Sequence, residues 1–159
     1  MGLADEEVSR GLLSYTPVSG RANVVDTGYI TIIDDCYNAN PHSVKEALTS
    51  LSCLPGRHVA ILGDMYNLGE LSREQHREIG VVSARCGVEC LICCGDESIF
   101  IHEGYTFAGG SEAYHCQSNA DLIAALPEII KKGDVVLIKA SHGMRFEDVL
   151  PSLRSLSYE

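Results

Sequence analysis

Short apolar runs alternate with amphipathic segments along this chain. The runs lie at residues 30–33, 58–62, 90–94 and 134–139, and they are rich in Val, Ile, Leu and Cys. They are too short for typical helices, and their near-continuous apolar character is typical of strands that are covered on both faces. The alternation predicts an α/β fold: a Rossmann-like, mostly parallel sheet of about six strands with helices on both faces.

Two weaker strand signals complete the predicted sheet. Residues 22–25 and 29–33 have the pattern of a hairpin joined through Thr27-Gly28, and residues 113–116 have that of a short strand. The hairpin would add one antiparallel strand near the start of the predicted sheet.

Capping residues set the predicted helix boundaries. Asn40 followed by Pro41 is a favourable helix start. Ser72 with Gln75 has the spacing of a capping box, and Pro127 should kink the helix that contains it. Helices are predicted at residues 40–53, 72–86, 96–104, 118–132 and 146–153.

The charge of the chain narrows the possible partners. A formal net charge of −10 argues against nucleic acid or an anionic membrane, since both attract basic surfaces. No apolar run approaches the roughly 20 residues that a membrane-spanning helix needs, and no signal-peptide pattern is present. We therefore expect a cytoplasmic location.

Seven cysteines raise the question of a metal site. Cys86, Cys90, Cys93 and Cys94 lie close together in sequence, but Cys93 and Cys94 are neighbours on a predicted strand and would point to opposite faces. Buried cysteine behaves as a small hydrophobic residue. We therefore expect packing rather than zinc binding, and no metal site.

Polar residues follow several of the predicted strands, at one edge of the sheet. They are Asp34, Asp35, Asp64, Asp96, Lys139 and Ser141. In open α/β sheets, ligands bind beyond the carboxyl ends of the strands, and a carboxylate there can accept hydrogen bonds from a ribose diol. The edge is therefore a candidate nucleotide site, although the sequence contains no Gly-x-x-x-x-Gly-Lys-Ser/Thr phosphate loop.

Four motifs, in order, give the chain a family resemblance. They are Gly20-Arg21, the acidic Tyr-Asn-Ala-Asn-Pro segment of residues 34–41, the Leu-Gly-Asp-Met segment of residues 62–70 and the Lys-Ala-Ser-His-Gly-Met segment of residues 139–144. Together they resemble the C-terminal domain of the Mur ligases. Within that family the chain is most similar to the ligases that add D-alanyl-D-alanine to a UDP-N-acetylmuramoyl-tripeptide in peptidoglycan precursor synthesis.

The resemblance implies a division of the chain and of the enzyme. Residues 1–17, which include a predicted helix at residues 5–13, would be the end of the central ATPase domain with its linker, and residues 18–159 the C-terminal domain. The N-terminal and central domains, with the phosphate loop and most Mg²⁺ ligands, would lie elsewhere. The chain alone would then hold no catalytic residue and would be inactive. Its partners would be ATP, D-alanyl-D-alanine and the UDP-muramoyl tripeptide.

The resemblance also assigns residues to two ligands. It places ATP on Arg21, Asp35, Tyr37, Asn38 and Asn40. It places the incoming dipeptide on Asp64, Lys139, Ser141 and His142.

Three positions depart from the family pattern. Asn67 replaces a Glu, Ala140 a Gly and His142 an Arg, and the last change removes a permanent positive charge from the edge. His76, on the helix after the Leu-Gly-Asp-Met segment, could face the cleft or the solvent.

Two other functions fit part of the pattern. In a phospho-acceptor receiver domain, Asp34 and Asp35 would bind Mg²⁺, Asp64 would be phosphorylated and Lys139 would contact the phosphate. That interpretation leaves the Tyr-Asn-Ala-Asn-Pro and Gly-Arg motifs unexplained. A noncatalytic nucleotide-binding module is the other alternative.

Overall fold

A computed structural model of the chain describes residues 22–157. The strands in this part are β1 (Asn23–Asp26), β2 (Thr31–Asp34), β3 (His58–Gly63), β4 (Cys90–Cys94), β5 (Glu112–Cys116) and β6 (Val135–Lys139). The helices are α1 (Pro41–Ser52), α2 (Ser72–Arg85), α3 (Ile99–Phe107), α4 (Asn119–Ile129) and α5 (Leu150–Arg154). The predicted N-terminal helix, the proposed boundary at residue 17 and Arg21 lie outside the described residues.

The strands form one sheet in the order β1-β2-β6-β3-β4-β5. Only β1 is antiparallel to its neighbour, with Val24 opposite Ile33. The pairs β2–β6, β3–β6, β3–β4 and β4–β5 are all parallel. The predicted fold class and hairpin are therefore confirmed.

The order of the strands decides which face each helix covers. The connections from β2 to β3, β3 to β4 and β4 to β5 advance in one direction, while the connection from β5 to β6 returns. Because such crossovers are right-handed, α1, α2 and α3 pack on one face and α4 on the other. The two buried layers follow this division: Leu48 and Ile79 lie in one, Leu126 and Leu153 in the other.

The cysteines of β4 pack into both layers. Cys93 lies in the layer under α1 to α3, whereas Cys90 and Cys94 lie in the layer under α4. All three are fully buried, and burial raises the pKa of Cys90 and of Cys94 to about 12. The packing role predicted for them is confirmed.

The start of α2 differs from the prediction. Ser72 is the first residue of the helix rather than its cap, and it follows directly on a 3₁₀ turn, Gly69–Leu71. Its hydroxyl donates to Glu97 Oε2 (2.9 Å) instead of accepting from a backbone N–H of α2. The capping box with Gln75 is therefore wrong, because a tertiary partner has taken the hydroxyl.

Helix α3 begins three residues later than predicted and extends past Gly104. The loop before it is held by Asp64, whose Oδ1 accepts from the Ser98 N–H (2.7 Å). Gly104 does not end the helix; it is a contact point, since a Cβ there would overlap the carbonyl oxygen of Arg77. Gly80 is placed in the same way against the carbonyl of Ile101, so α2 and α3 meet backbone to backbone.

The C-terminal segment is also more broken than predicted. Helix α4 ends at Ile129, before the predicted residue 132. The last helix is replaced by two 3₁₀ turns, His142–Met144 and Phe146–Asp148, followed by α5. Arg145 lies between the turns with a left-handed φ of 52°. The apolar pattern still holds, because Phe146 and Leu153 are buried.

An ion-pair network ties three strands together at the edge opposite the polar one. Arg57, just before β3, donates to Asp134 Oδ2 (2.9 Å) before β6 and to Glu112 Oε2 (2.6 Å) on β5. Partial burial raises the pKa of Glu112, but hydrogen bonds from Arg57 and Tyr114 outweigh it and hold the pKa below its usual value. Within residues 22–157, no helix is long and apolar enough to cross a bilayer.

Replacing Gly104 by Ala should destabilise the chain, because the new methyl must push α2 and α3 apart. We expect a loss of about 2 kcal/mol in the free energy of unfolding, measured by urea denaturation. Thr106→Ala, on an exposed part of the same helix, should change it by less than about 0.5 kcal/mol. Equal effects of the two substitutions would show that the helices do not meet at Gly104.

The Glu112 ion pair should make stability sensitive to acid. Since its pKa is lower in the folded chain, the pair stabilises the fold above the unfolded value of about 4.3, and the stabilisation is lost as pH falls further. Glu112→Gln should cost about 0.5–1 kcal/mol at pH 7 and less at pH 3.5. Denaturation curves at both pH values test this; a constant difference would contradict it.

Candidate functional site

Strand β6 creates two crevices at the polar edge of the sheet. The chain leaves β6 toward the face that carries α4 and α5, whereas it leaves β2 and β3 toward the face that carries α1 and α2. Neighbouring strands whose connections leave to opposite faces are the switch points at which α/β sheets bind ligands. We call the two openings the β2–β6 crevice and the β6–β3 crevice.

The β2–β6 crevice contains a cavity of 470 Å³. Its walls come from the end of β2, the loop that follows, one face of α1 and the end of β6. The lining residues are Ala22, Ile33, Asp35, Tyr37, Asn38, Asn40, Ser43, Glu46, Ala47, Ser50 and Lys139. A cavity of this size is in the range of small-molecule sites.

Lys139 holds the floor of this cavity together. Its Nζ donates to Asp35 Oδ2 (2.5 Å) and to the carbonyl oxygen of Asn38 (2.9 Å), and its side chain is only 3% exposed. The other carboxylate oxygen of Asp35 accepts from the Ala22 N–H (3.1 Å). The structure thus places Lys139 in the cavity with the predicted nucleotide residues, and its ammonium is engaged by Asp35 and Asn38.

The N-terminus of α1 forms the far wall. Asn40 caps the helix by accepting from the Ser43 N–H (2.9 Å), and Ser43 Oγ accepts from the Asn40 N–H in return (3.2 Å). This capping box fixes the angle between the loop and the helix. Tyr37 and Asn38, in the loop, are exposed and line the cavity.

Asp34 is separated from Asp35 by the geometry of the strand. It is fully buried on the opposite face, where Oδ1 accepts from the Cys36 thiol (2.9 Å). Burial, with the nearby Asp34 carboxyl, raises the pKa of Cys36 to about 12. Among the described residues, Asp34 Oδ2 has no hydrogen-bond partner. The two acids therefore do not converge on one ligand.

In the β6–β3 crevice, Ser141 acts as a brace between loops. Its Oγ accepts from the Tyr66 N–H (2.8 Å) and donates to the carbonyl oxygen of Ala39 (3.4 Å), while its own N–H donates to the Asp64 carbonyl (3.0 Å). It is 4% exposed. The hydroxyl caps no helix turn, and it is already engaged before any ligand binds.

Asp64 faces the loop that follows β4. It is 6% exposed, and a Cβ on Gly95 would lie 2.5 Å from one of its carboxylate oxygens. Burial raises the pKa of Asp64, and hydrogen bonds from the backbone of Ser98 and Glu97 act in the opposite direction. Its visible role is to hold that loop.

The exposed surface of this crevice is aromatic. The ring of Tyr37 lies 6.0 Å from the ring of His142, and the two planes are inclined by 41°. Tyr66 packs over Gly143, where a Cβ would lie 2.7 Å from its ring, and its hydroxyl contacts Met144 Sδ (2.9 Å). These rings separate the two crevices and leave His142 open to solvent.

The predicted residues therefore fall into two groups. Asp35, Tyr37, Asn38, Asn40 and Lys139 line the cavity; Asp64, Ser141 and His142 lie around the second crevice; Arg21 is outside the described residues. Their roles in binding stay predictions. Among residues 22–157 no group of three or more His, Cys, Asp or Glu side chains could hold a metal ion.

Sequence analysis missed the wall that α1 contributes. Ser43, Glu46, Ala47 and Ser50 line the cavity, and their i, i+3, i+4, i+7 spacing places them on one face of the helix. That stripe of small and polar residues, which starts three residues after the predicted cap Asn40, was an available signal. Tyr66 was missed because exposed aromatic residues in turns have no characteristic pattern.

The receiver interpretation does not fit this arrangement. It needs the acids after β2 and β3 to meet, but β6 lies between those strands. It also needs Asp34 beside Asp35, and these face opposite sides of the sheet.

Comparison with known proteins supports the family resemblance found in the sequence. Residues 20–142 match the family described as Mur ligase, glutamate ligase domain. The chain is 33% identical over 156 residues to UDP-N-acetylmuramoyl-tripeptide--D-alanyl-D-alanine ligase of Bacillus subtilis, covering 96% of the chain and 34% of that protein. The Mycobacterium leprae ligase of the same name is 35% identical, with coverages of 90% and 32%. The chain thus spans about a third of the length of these curated relatives.

Solved structures agree with the sequence relatives. MurF ligase from Thermotoga maritima in complex with ADP superposes with a TM-score of 0.75 at 30% identity, covering 92% of this chain and 35% of that one. MurF from Acinetobacter baumannii superposes with a TM-score of 0.83 at 25% identity, with coverages of 97% and 34%.

The Lys139–Asp35 pair should be energetically coupled. Lys139→Met leaves a partly buried carboxylate without its cation and should cost about 2 kcal/mol. Asp35→Asn in the Lys139→Met background should restore part of that loss, giving a coupling energy of about 1–2 kcal/mol in a double-mutant cycle measured by urea denaturation.

The exposed pair Lys45–Glu78 is the matched control. Its atoms are also close, at 2.7 Å, but the side chains are 35% and 54% exposed. The same cycle there should give about 0.5 kcal/mol or less. Additive effects at Lys139 and Asp35 would show that their contact contributes no stability.

Proposed function

Because the chain belongs to the Mur ligase family, we propose that it is the C-terminal domain of an ATP-dependent ligase that adds D-alanyl-D-alanine to a UDP-N-acetylmuramoyl-tripeptide. The curated relatives of that name support the proposal. Since the chain matches about a third of their length, the proposal gives this domain a share of two binding sites, and not the whole reaction. It also places the reaction in the cytoplasm.

The observation that carries the proposal is the cavity of the β2–β6 crevice. Asp35 lies in it with its orientation fixed on both oxygens, by Lys139 and by the Ala22 N–H. A carboxylate held in this way is suited to accept hydrogen bonds from a ribose diol. The solved relative in complex with ADP supports a nucleotide as the ligand.

Within the proposal, each residue has a defined task. Asp35 would bind the ribose, and Tyr37, Asn38 and Asn40 would flank the nucleoside. Lys139 neutralises the charge of Asp35 and fixes the loop through Asn38. ATP supplies the free energy for amide-bond formation. Arg21 keeps its predicted role beside the nucleotide, and Mg²⁺ would be bound mainly by the rest of the enzyme.

The incoming dipeptide would lie in the β6–β3 crevice. His142 is exposed there, and in its protonated form it could pair with a carboxylate. Asp64 and Ser141 would shape this crevice through the loops that they hold. Closure of the domain over both ligands would exclude water and orient the reactants.

Asp35→Ala in the complete ligase tests the nucleotide role. Loss of a hydrogen bond to a charged group costs about 1.5–3 kcal/mol, so the apparent KM for ATP should rise roughly ten- to a hundredfold. At saturating ATP the KM for D-alanyl-D-alanine should be unchanged.

The control for this experiment is Glu128→Ala, which removes an exposed acid from α4. It should leave the KM for ATP as it is. An unchanged KM for ATP in Asp35→Ala would refute the assignment of the cavity to the nucleotide.

A further inference from the structure

His76 is a buried polar residue whose ring forms a hydrogen bond to an element other than its own helix. It lies on α2 and is 0% exposed. It therefore faces neither the cleft nor the solvent, which were the two orientations considered from the sequence. Nε2 accepts from the Met65 N–H (2.9 Å), in the turn that follows β3. A buried histidine with its partners in two elements links those elements.

The partners of the ring determine its protonation state. A backbone N–H can only donate, so Nε2 must carry a lone pair. A carbonyl oxygen can only accept, so Nδ1, 2.8 Å from the Ser72 carbonyl oxygen, must carry the proton. The ring is therefore the neutral Nδ1–H tautomer, assigned from its partners. The Ser72 hydroxyl, beside Nδ1, is itself held by Glu97.

The hydrogen bond to Met65 is the first of a series that links α2 to the turn after β3, the segment after β6 and the loop after β2. The next backbone N–H in the turn, that of Tyr66, is taken by Ser141 Oγ, which donates in turn to the Ala39 carbonyl in the loop above the cavity. Two consecutive N–H groups of one turn thus have side-chain acceptors from two different elements. The turn also carries the Tyr66 ring, which packs over Gly143 next to His142.

We propose that His76 is a positioning residue for the β6–β3 crevice, where the dipeptide would bind. Its neutral ring holds the turn of residues 64–67, and that turn in turn fixes the positions of Tyr66 and Ser141. This rests on the proposed function as far as the dipeptide is concerned. An apolar side chain of similar size would fill the same space but would leave the Met65 N–H buried without an acceptor. A glutamine supplies an acceptor oxygen and should serve in its place.

The first experiment uses the 159-residue chain alone and does not depend on the proposed function. Long-range ¹H–¹⁵N NMR of the ring should show protonated Nδ1 and unprotonated Nε2 at pH 7.5. In His76→Leu, hydrogen exchange at the Met65 and Tyr66 amides should accelerate about tenfold or more. His76→Gln should stay within about threefold of the original chain.

Ser83→Ala is the matched control, since Ser83 is also buried on α2 but bonds only the Ile79 carbonyl of its own helix. It should leave both amides unchanged. An Nε2–H tautomer, a charged ring, or an acceleration in His76→Leu that is equal at all core amides would overturn the proposal.

The second experiment uses the complete ligase and separates positioning from folding. His76→Leu should raise the KM for D-alanyl-D-alanine about tenfold and the KM for ATP by less than about threefold, with rescue by His76→Gln. A fall in kcat with both KM values unchanged would be a structural effect and would overturn the role. If the NMR results hold and neither kcat nor the KM values change, the turn is held by His76 but the dipeptide binds elsewhere.

Discussion

The insertion of β6 between β2 and β3 is the constraint on which the rest of the structure depends. The chain must return from the far edge of the sheet to reach this position, and a right-handed return puts α4 on the face opposite α1 to α3. The same return directs the segment after β6 away from the segments after its two neighbours. Both crevices therefore follow from the order of the strands, before any side chain is considered.

Buried polar contacts then make this edge rigid. Lys139 pairs with the end of β2 and with the loop after it, and Ser141, two residues later, joins the turns after β3 and β2. Lys139 is the last residue of β6 and Ser141 lies just beyond it. The two residues belong to different crevices, so the position of each crevice is set relative to the other. A buried ammonium or hydroxyl stays buried only when its partners are in place, which makes the loops depend on one another.

Much of this fold was predictable from local sequence. The apolar runs of β3, β4 and β6 and the start of α1 at Asn40-Pro41 were found because each signal lies within a few residues. The strand order was not, because nothing local states that β6 lies between β2 and β3. Ser72 and Gly104 were misassigned for the same reason: Glu97 takes the hydroxyl that would have capped α2, and Arg77 explains the glycine that would have ended α3. In the candidate site, the described motif residues lie at the expected edge of the sheet, but their division between two crevices depends on contacts such as that of Lys139 with Asp35.

The charges of the cavity limit which part of a nucleotide it can hold. Among the described residues that line it, Lys139 is the only cation, and it is used by Asp35 and Asn38. Asp35 and Glu46 add negative charge, and the remaining lining is neutral. Phosphates would be repelled by such walls, whereas a ribose and a base can donate hydrogen bonds to them. On the proposed function, the cavity therefore suits the nucleoside alone, and the phosphates must meet cations from outside the residues that line it, with Arg21 as the nearest predicted one in sequence. That is the behaviour expected of one domain in a site shared between domains. On the proposed function, this domain selects and orients the nucleoside, and the groups that neutralise the reacting phosphates come from the rest of the enzyme.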